Sequence, residues 1–282
     1  MSAVVLNRRP MRDRARTWVK VALAVVVTVL FLFPVYWLFA TGFKSPDEVY
    51  ASPPVWFPQD PSFATFAVLW RDGHFTSIGD SLIIAGISTA IAMALGTIAA
   101  YSLARFRTGG THFALWIISQ RMIPPIAIVF PIFLLFSLIS LVDSYVGLIA
   151  LYTAFNLPYV IWMMRGYVED VPIELEESAL VDGLNRWQII IKVVFPMVRT
   201  GLFATTVFTF IFAWNEFIFA LVLSKTEVIT FPVRISYYFG PQQIFWAKIG
   251  AMSLIGALPV FFMVAMAQRF LVRGISMGAV KG

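Results

Sequence analysis

The chain has 282 residues, 60% hydrophobic and 13% charged, with 27 Phe, no Cys and a net charge of +6; its mean hydropathy is +0.83. Such a composition excludes an ordinary water-soluble globule, and the lack of cysteine excludes disulfide and thiol chemistry. The basic residues are dispersed, which excludes a nucleic-acid footprint and leaves membrane topology and attraction to anionic lipid as the meaning of the charge.

Six stretches reach the roughly 20 apolar residues that cross a hydrocarbon core. In chain order they are 21–43, 81–104, 113–142, 144–164, 200–224 and 249–268. Four carry no charge, the third carries Arg121 and the fifth carries Glu216. Backbone polar groups in lipid must be satisfied internally, so the reading is an all-α membrane protein of six transmembrane helices, with one membrane domain over 1–282. Arg8, Arg9, Arg12, Arg14 and Arg16 precede the first run. That run is longer than a signal h-region and is followed by no small-x-small site before Lys44, so 1–20 reads as a segment leading into a retained span.

Segment 44–77 is rich in Pro and aromatics ("SPPVWFPQDPSF") and reads as extended or turn-like, lying against the membrane surface or a partner. Residues 105–112 form a tight turn with Gly109 and Gly110, 138–143 a short turn, and 225–245 a loop containing "YYFGPQQ". Segment 165–199 is the long loop of the other side, and 272–282 is a tail. With the N-terminus inside, fifteen Lys and Arg fall on the cytosolic side and five outside. This bias puts both termini in the cytosol and makes 44–77 and 225–245 extracytoplasmic.

Residues 176–196 read "EESALVDGLNRWQIIIKVVFP". Upstream, Asp170 is predicted as an N-cap and Pro172 as a first-turn proline. Glu174, Glu176 and Glu177 fall where carboxylates suit the positive end of the helix dipole, and Leu175, Ala179 and Leu180 line one side. Gly183 is predicted to end this helix at positive φ. Asn185 is predicted to cap a second helix, apolar through 189–195, that stops at Pro196. A short cytosolic helix with a small apolar face needs a partner.

Inside the membrane, Arg121 lies about 12 Å past the start of its span. Pro124, Pro125 and Pro131 follow it and break the helix. Polar groups at depth face a bundle interior or a watery cavity, so Arg121, Pro124, Asn156, Trp214, Asn215 and Glu216 are the candidates for lining such a cavity. Arg121 and Glu216 are of opposite sign but about 10 Å apart in depth by residue counting, so a bridge between them stays open. Trp116, Trp162, Phe210 and Phe212 could offer stacking faces to a ligand, although most aromatics in spans face lipid or core. No catalytic or metal residues are found: His74 and His112 sit in loops on opposite sides, and GxxxxGK[ST] and HExxH are absent from the sequence.

The 176–196 stretch resembles the cytosolic loop of ABC importer permeases, written E-A-A-x3-G-x9-I-x-L-P. Here it reads Glu177-Ser178-Ala179, three residues, Gly183, nine residues, then Val193-x-Phe195-Pro196. "AWNEFIFAL" (213–221) and "GISMGAVKG" (274–282) are similar to the carbohydrate branch of that family, including the smaller permease of the maltose importer. One departure is "DSL" at 80–82, where the branch more often has Asn.

The resemblance implies the type I ABC importer permease fold in a bacterial inner membrane. It makes 170–196 a coupling element seated in a cytosolic ATPase through Glu177, Ser178, Ala179, Asp182, Gly183 and Pro196. Glu177 would face a basic group there, and Ala179 would permit close approach. It puts the tail residues Gly278, Ala279, Val280, Lys281 and Gly282 between the ATPase subunits. The 274–282 stretch, with three glycines, is predicted to be flexible alone. The position of Tyr237, Tyr238, Phe239, Gly240, Pro241 and Gln242 implies contact with a sugar-binding protein. Implied partners are a second homologous permease, an ATPase dimer, the binding protein and membrane lipid. ATP and Mg would be bound by the ATPase, with no cofactor in this chain. The alternatives are a permease for an amino acid, polyamine or phosphate, against which the "GAVKG" terminus argues, and a secondary carrier, for which inverted repeats and paired acids are missing. A membrane enzyme would need a nucleophile–base set or metal ligands at one depth.

Overall fold

The computed structural model describes residues 11–240 and 243–278. The four charge-poor spans are unbroken helices: α1 (Met11–Phe43), α4 (Thr76–Phe106), α7 (Tyr145–Glu169) and α14 (Trp246–Gly278). By length and composition these four can cross a membrane, and two bent helix pairs raise the number to six.

The third span is the first bent pair. Helix α5 (Gly110–Ser119) and a 3-10 turn (Gln120–Met122) meet α6 (Pro125–Leu138) at 89°. A residue before proline is pushed out of the α region. Ile123 (ψ 119°) and Pro124 (ψ 130°) each precede one, and both are extended. The second bent pair differs from the expected 200–224 span. Residues 186–197 comprise α9 (Arg186–Ile189), a π turn (Ile190–Val194) and α10 (Phe195–Met197). They meet α11 (Arg199–Trp214) at 80°, so the helix passes the expected stop at Pro196 and breaks at Val198. Helix α11 ends at Trp214, and α12 (Ile218–Leu223) begins after a non-helical Asn215–Glu216–Phe217. The cause is polar. The Glu216 carboxylate accepts from the N–H groups of Phe219 (3.0 Å) and Ala220 (3.2 Å), which starts a new helix.

Segment 44–77 is not simply extended. It contains α2 (Pro46–Val49), held by a Ser45–Glu48 capping box, and α3 (Ala64–Arg71). The later loop contains α13 (Phe231–Ser236). Helices α4 and α7 form the central pair, α11 crosses both and touches α14, and α1 lies against α14. Where α1 meets α14, Gly42 and Gly250 bring the backbones so close that a Cβ on Gly250 would stand 2.7 Å from the Gly42 nitrogen.

Two buried clusters follow. One gathers Ile84, Leu148, Trp214, Phe219, Val233 and Met252, among others, towards the 44–77 side. The second gathers Ala92, Tyr101, Val160, Met164, Ala179 and Ile190, among others, towards the 165–199 side. The tail is corrected in part: α14 stays helical to Gly278, because adding residues to a formed helix avoids the cost of nucleation. Ala279, Val280, Lys281 and Gly282 lie outside the described residues.

Candidate functional site

The loop between α7 and α11 holds α8 (Ile173–Val181) and α9. Asp170 is not the N-cap of α8. It ends α7, its N–H bonding the Gly166 carbonyl at 3.1 Å, and Pro172 occupies the N-cap position without a side-chain bond. Gly183 adopts φ +84°, the left-handed region that a Cβ makes costly. Asn185 caps α9, accepting from the Gln188 N–H at 3.0 Å while the Gln188 side chain accepts from the Asn185 N–H at 2.9 Å.

The two sides of α8 have different tasks. Glu177, Ser178, Val181 and Asp182 are exposed, Val181 at 88%, and Trp187 on α9 is exposed as well. Ala179 turns inward into the cluster of its own membrane domain, away from the exposed face, while Leu175 and Leu180 remain exposed. The inward side also carries Glu176, 1% exposed. Its carboxylate accepts from Arg105 Nε (2.6 Å) and from the Tyr101 hydroxyl (2.6 Å), and the same guanidinium donates to the Val171 carbonyl (2.8 Å). This buried ion pair fixes α8 to the end of α4, and Arg186 adds a contact over the Phe106 ring at 5.5 Å. Sequence reasoning treated Glu176 only as a dipole-compatible acid. The available signal was its spacing of three from Ala179, which puts both on one helix face.

Within the helix bundle, Arg121, Asn156 and Glu216 line one cavity of about 130 Å³ with Tyr152, Phe155, Phe212 and Phe219. Arg121 donates to the Phe155 carbonyl (3.0 Å) and to Asn156 Oδ1 (3.3 Å), and its guanidinium lies 4.8 Å and 4.9 Å from the Phe155 and Phe212 ring centres. Among the described residues, Arg121 and Glu216 form no ion pair within 4.0 Å. The remaining candidates fall elsewhere. Trp214 is buried, stacked between Phe210 and Phe231, and so belongs to the core. Asn215 is exposed and donates to the Ile211 carbonyl, and Pro124 is exposed at the bend. Trp116 and Trp162 are exposed on the outside of the chain.

At the 44–77 end, Tyr237 and Phe239 are exposed, but Tyr238 is buried, with its hydroxyl 2.8 Å from His74 Nδ1. It is therefore withdrawn from any partner. Burial, then Arg234 and Lys248, push His74 below its usual range, which favours a neutral ring that can accept a hydrogen bond from the tyrosine hydroxyl. Gly240 follows the exposed pair, and Pro241 and Gln242 lie outside the described residues.

Two acids missed as structural anchors bind this end together. Asp80 accepts from the Tyr145 hydroxyl (2.6 Å) and the Ile229 N–H (3.3 Å). Asp143 accepts from the N–H groups of Lys225, Thr226, Glu227 and Val228 at 2.9–3.2 Å. Burial raises the Asp143 carboxyl, but these donors outweigh it and hold it well below the carboxylate range.

The profile of the family described as "Binding-protein-dependent transport system inner membrane component" matches residues 92–272. The diacetylchitobiose uptake system permease protein DasC of Streptomyces coelicolor is 36% identical over 273 residues, 95% of this chain and 98% of that protein. The trehalose transport system permease protein SugB of Mycobacterium tuberculosis is 33% identical over 274 residues, again 95% and 98%. A solved chain from a bacterial ABC transporter involved in the import of the acidic polysaccharide alginate superposes with a TM-score of 0.77 at 23% identity, covering 93% of this chain and 98% of that one.

Proposed function

The chain belongs to the binding-protein-dependent transport system inner membrane component family, and on that premise we propose that it is one permease subunit of an ATP-driven importer for a sugar or sugar derivative. It is a multi-pass inner-membrane protein with both termini in the cytosol. The sugar class is supported by the diacetylchitobiose and trehalose permeases, each similar over 95% of the chain. Its partners are a second homologous permease, an ATPase dimer that binds ATP and Mg, and an extracytoplasmic binding protein. Hydrolysis belongs to the ATPase.

The observation that carries the reading is the two-sided α8. One side is fixed to α4 through Glu176–Arg105, and the other presents Glu177, Ser178, Val181 and Asp182 beside the Gly183 bend. A helix fixed behind and exposed in front is suited to receive a push from a docked ATPase and to pass it into the membrane helices. Arg121, Asn156 and Glu216 supply hydrogen-bonding groups and Phe155 and Phe212 supply ring faces, the two kinds of surface a sugar needs. At about 130 Å³ the cavity is well below the roughly 300 Å³ at which ligand pockets begin.

Co-purification of the assembled complex tests the docking surface. Glu177→Lys and Gly183→Val are expected to leave the permease folded and to reduce recovered ATPase severalfold; full recovery with both would refute the assignment. Binding-protein-dependent uptake of labelled disaccharides by reconstituted vesicles tests the cargo, and uptake of amino acids but no sugar would overturn it.

A further inference from the structure

Lys44 follows α1 directly and is 4% exposed, and Thr41, one turn earlier, is 7% exposed. Among the described residues the Lys44 ammonium forms no ion pair and no side-chain hydrogen bond. Its Nζ lies over the Trp37 ring, 4.0 Å from the centroid. The Thr41 hydroxyl is buried and has no hydrogen-bond partner. The nearest acid, Glu48, is engaged elsewhere, accepting from the N–H groups of Gln59 (2.7 Å) and Ser45 (3.1 Å). A buried cation with no direct ion pair, only the more distant Glu48, and a buried hydroxyl without a partner each cost free energy.

Both groups line the same cavity, of about 270 Å³, together with Trp37, Val49, Trp246 and Ile249. That volume far exceeds the roughly 30 Å³ share of one water. The surroundings fix the depth. The rings of Phe33, Trp37 and Trp56 lie 5.8–6.1 Å apart, and the Tyr36 hydroxyl donates to the Trp56 carbonyl at 2.6 Å. Such an aromatic belt sits at the level of lipid headgroups, and α1 below it exposes an apolar surface along its length.

The geometry points to a phospholipid site. The phosphate diester of one lipid accepts from the Lys44 ammonium and the Thr41 hydroxyl, its headgroup rests between Trp37 and Trp246, and its chains run down α1. Burial pushes the Lys44 ammonium below its usual range, partly offset by Glu48, and a bound phosphate reverses that push. The site is independent of what the permease carries.

Native mass spectrometry of the full-length chain in detergent, titrated with phosphatidylglycerol, tests this. The intact protein is expected to retain one lipid through mild activation. Lys44→Gln should weaken its apparent affinity about tenfold, the loss expected for one charged hydrogen bond, Thr41→Val severalfold, and Lys44→Arg little. Melting curves of the same variants separate lost binding from lost fold, and the Arg variant restores the cation at the same position. Equal lipid retention by the intact protein and Lys44→Gln would overturn the proposal. So would displacement of the lipid by equimolar inorganic phosphate, which would make this a free-oxyanion site.

Discussion

Glu176 and Glu177 are adjacent carboxylates with opposite fates. Glu177 stands in solvent, whereas Glu176 sits at 2.6 Å from both Arg105 Nε and the Tyr101 hydroxyl. Breaking a buried pair from one side leaves an uncompensated charge and typically costs about 3–5 kcal/mol. Arg105→Ala is therefore expected to lower the melting temperature clearly and to uncouple ATP hydrolysis from transport, because α8 loses its hold on α4. Glu176→Gln, which keeps an acceptor but removes the charge, should do less. Thermal melts of the purified permease and stimulated ATPase of the complex measure the two effects, and an unchanged melt for Arg105→Ala would show that the pair contributes nothing net. Residue pattern alone could not find this contact, since Arg105 and Tyr101 lie 71 and 75 positions before Glu176. Gly183 and Asn185 were legible because turn and cap chemistry is local.

Among the elements, local punctuation decided what could be read. The 89° break in the third span follows from consecutive prolines, a backbone constraint visible in sequence. The break before α12 follows from a single capping acid inside an apolar run, and a count of apolar residues passes over it. Tyr238 and Trp214 were singled out for chemical type, and burial then gave them to the core. The link between the α6–α7 turn and residues 225–228 rests on Asp143. Its carboxyl is held below the ordinary range, so its contribution is present above the unfolded-state value and is lost only as pH falls through the lower folded-state value. Slow exchange of the four amides is thus expected to persist in acid where ordinary carboxylates are already protonated. Asp143→Asn turns an N–H₂ group towards these donors and should speed their exchange at neutral pH; unchanged exchange in that variant would deny Asp143 this role.

For the whole molecule, the proposed coupling role and the lysine and arginine balance make one joint prediction: α8 and both termini share a compartment with ATP. Reporter fusions after Arg107 and after Gly282 are expected to be cytosolic, and fusions near Asp60 and Pro241 external. An external C-terminus would refute the coupling role. Removing 279–282 is expected to leave the membrane domain folded and to lower transport and stimulated ATPase together. Normal values of both would show a dispensable end.

The Gly42–Gly250 crossing also bears on how the chain is made. Synthesis runs from the N-terminus, so α1 is inserted first while the helix it packs on is completed last, some 200 residues later. Throughout that interval α1 has to be stable as a solitary helix in lipid, and the most apolar part of its 17–43 stretch has no residue buried inside the chain. Its hydrophobicity is thus set by waiting rather than by packing. The docking of α14 onto α1 closes this long separation after the cluster on the 165–199 side, which has no member on α14, can already have formed; the other cluster is completed only when Ile249, Ala251 and Met252 arrive with α14.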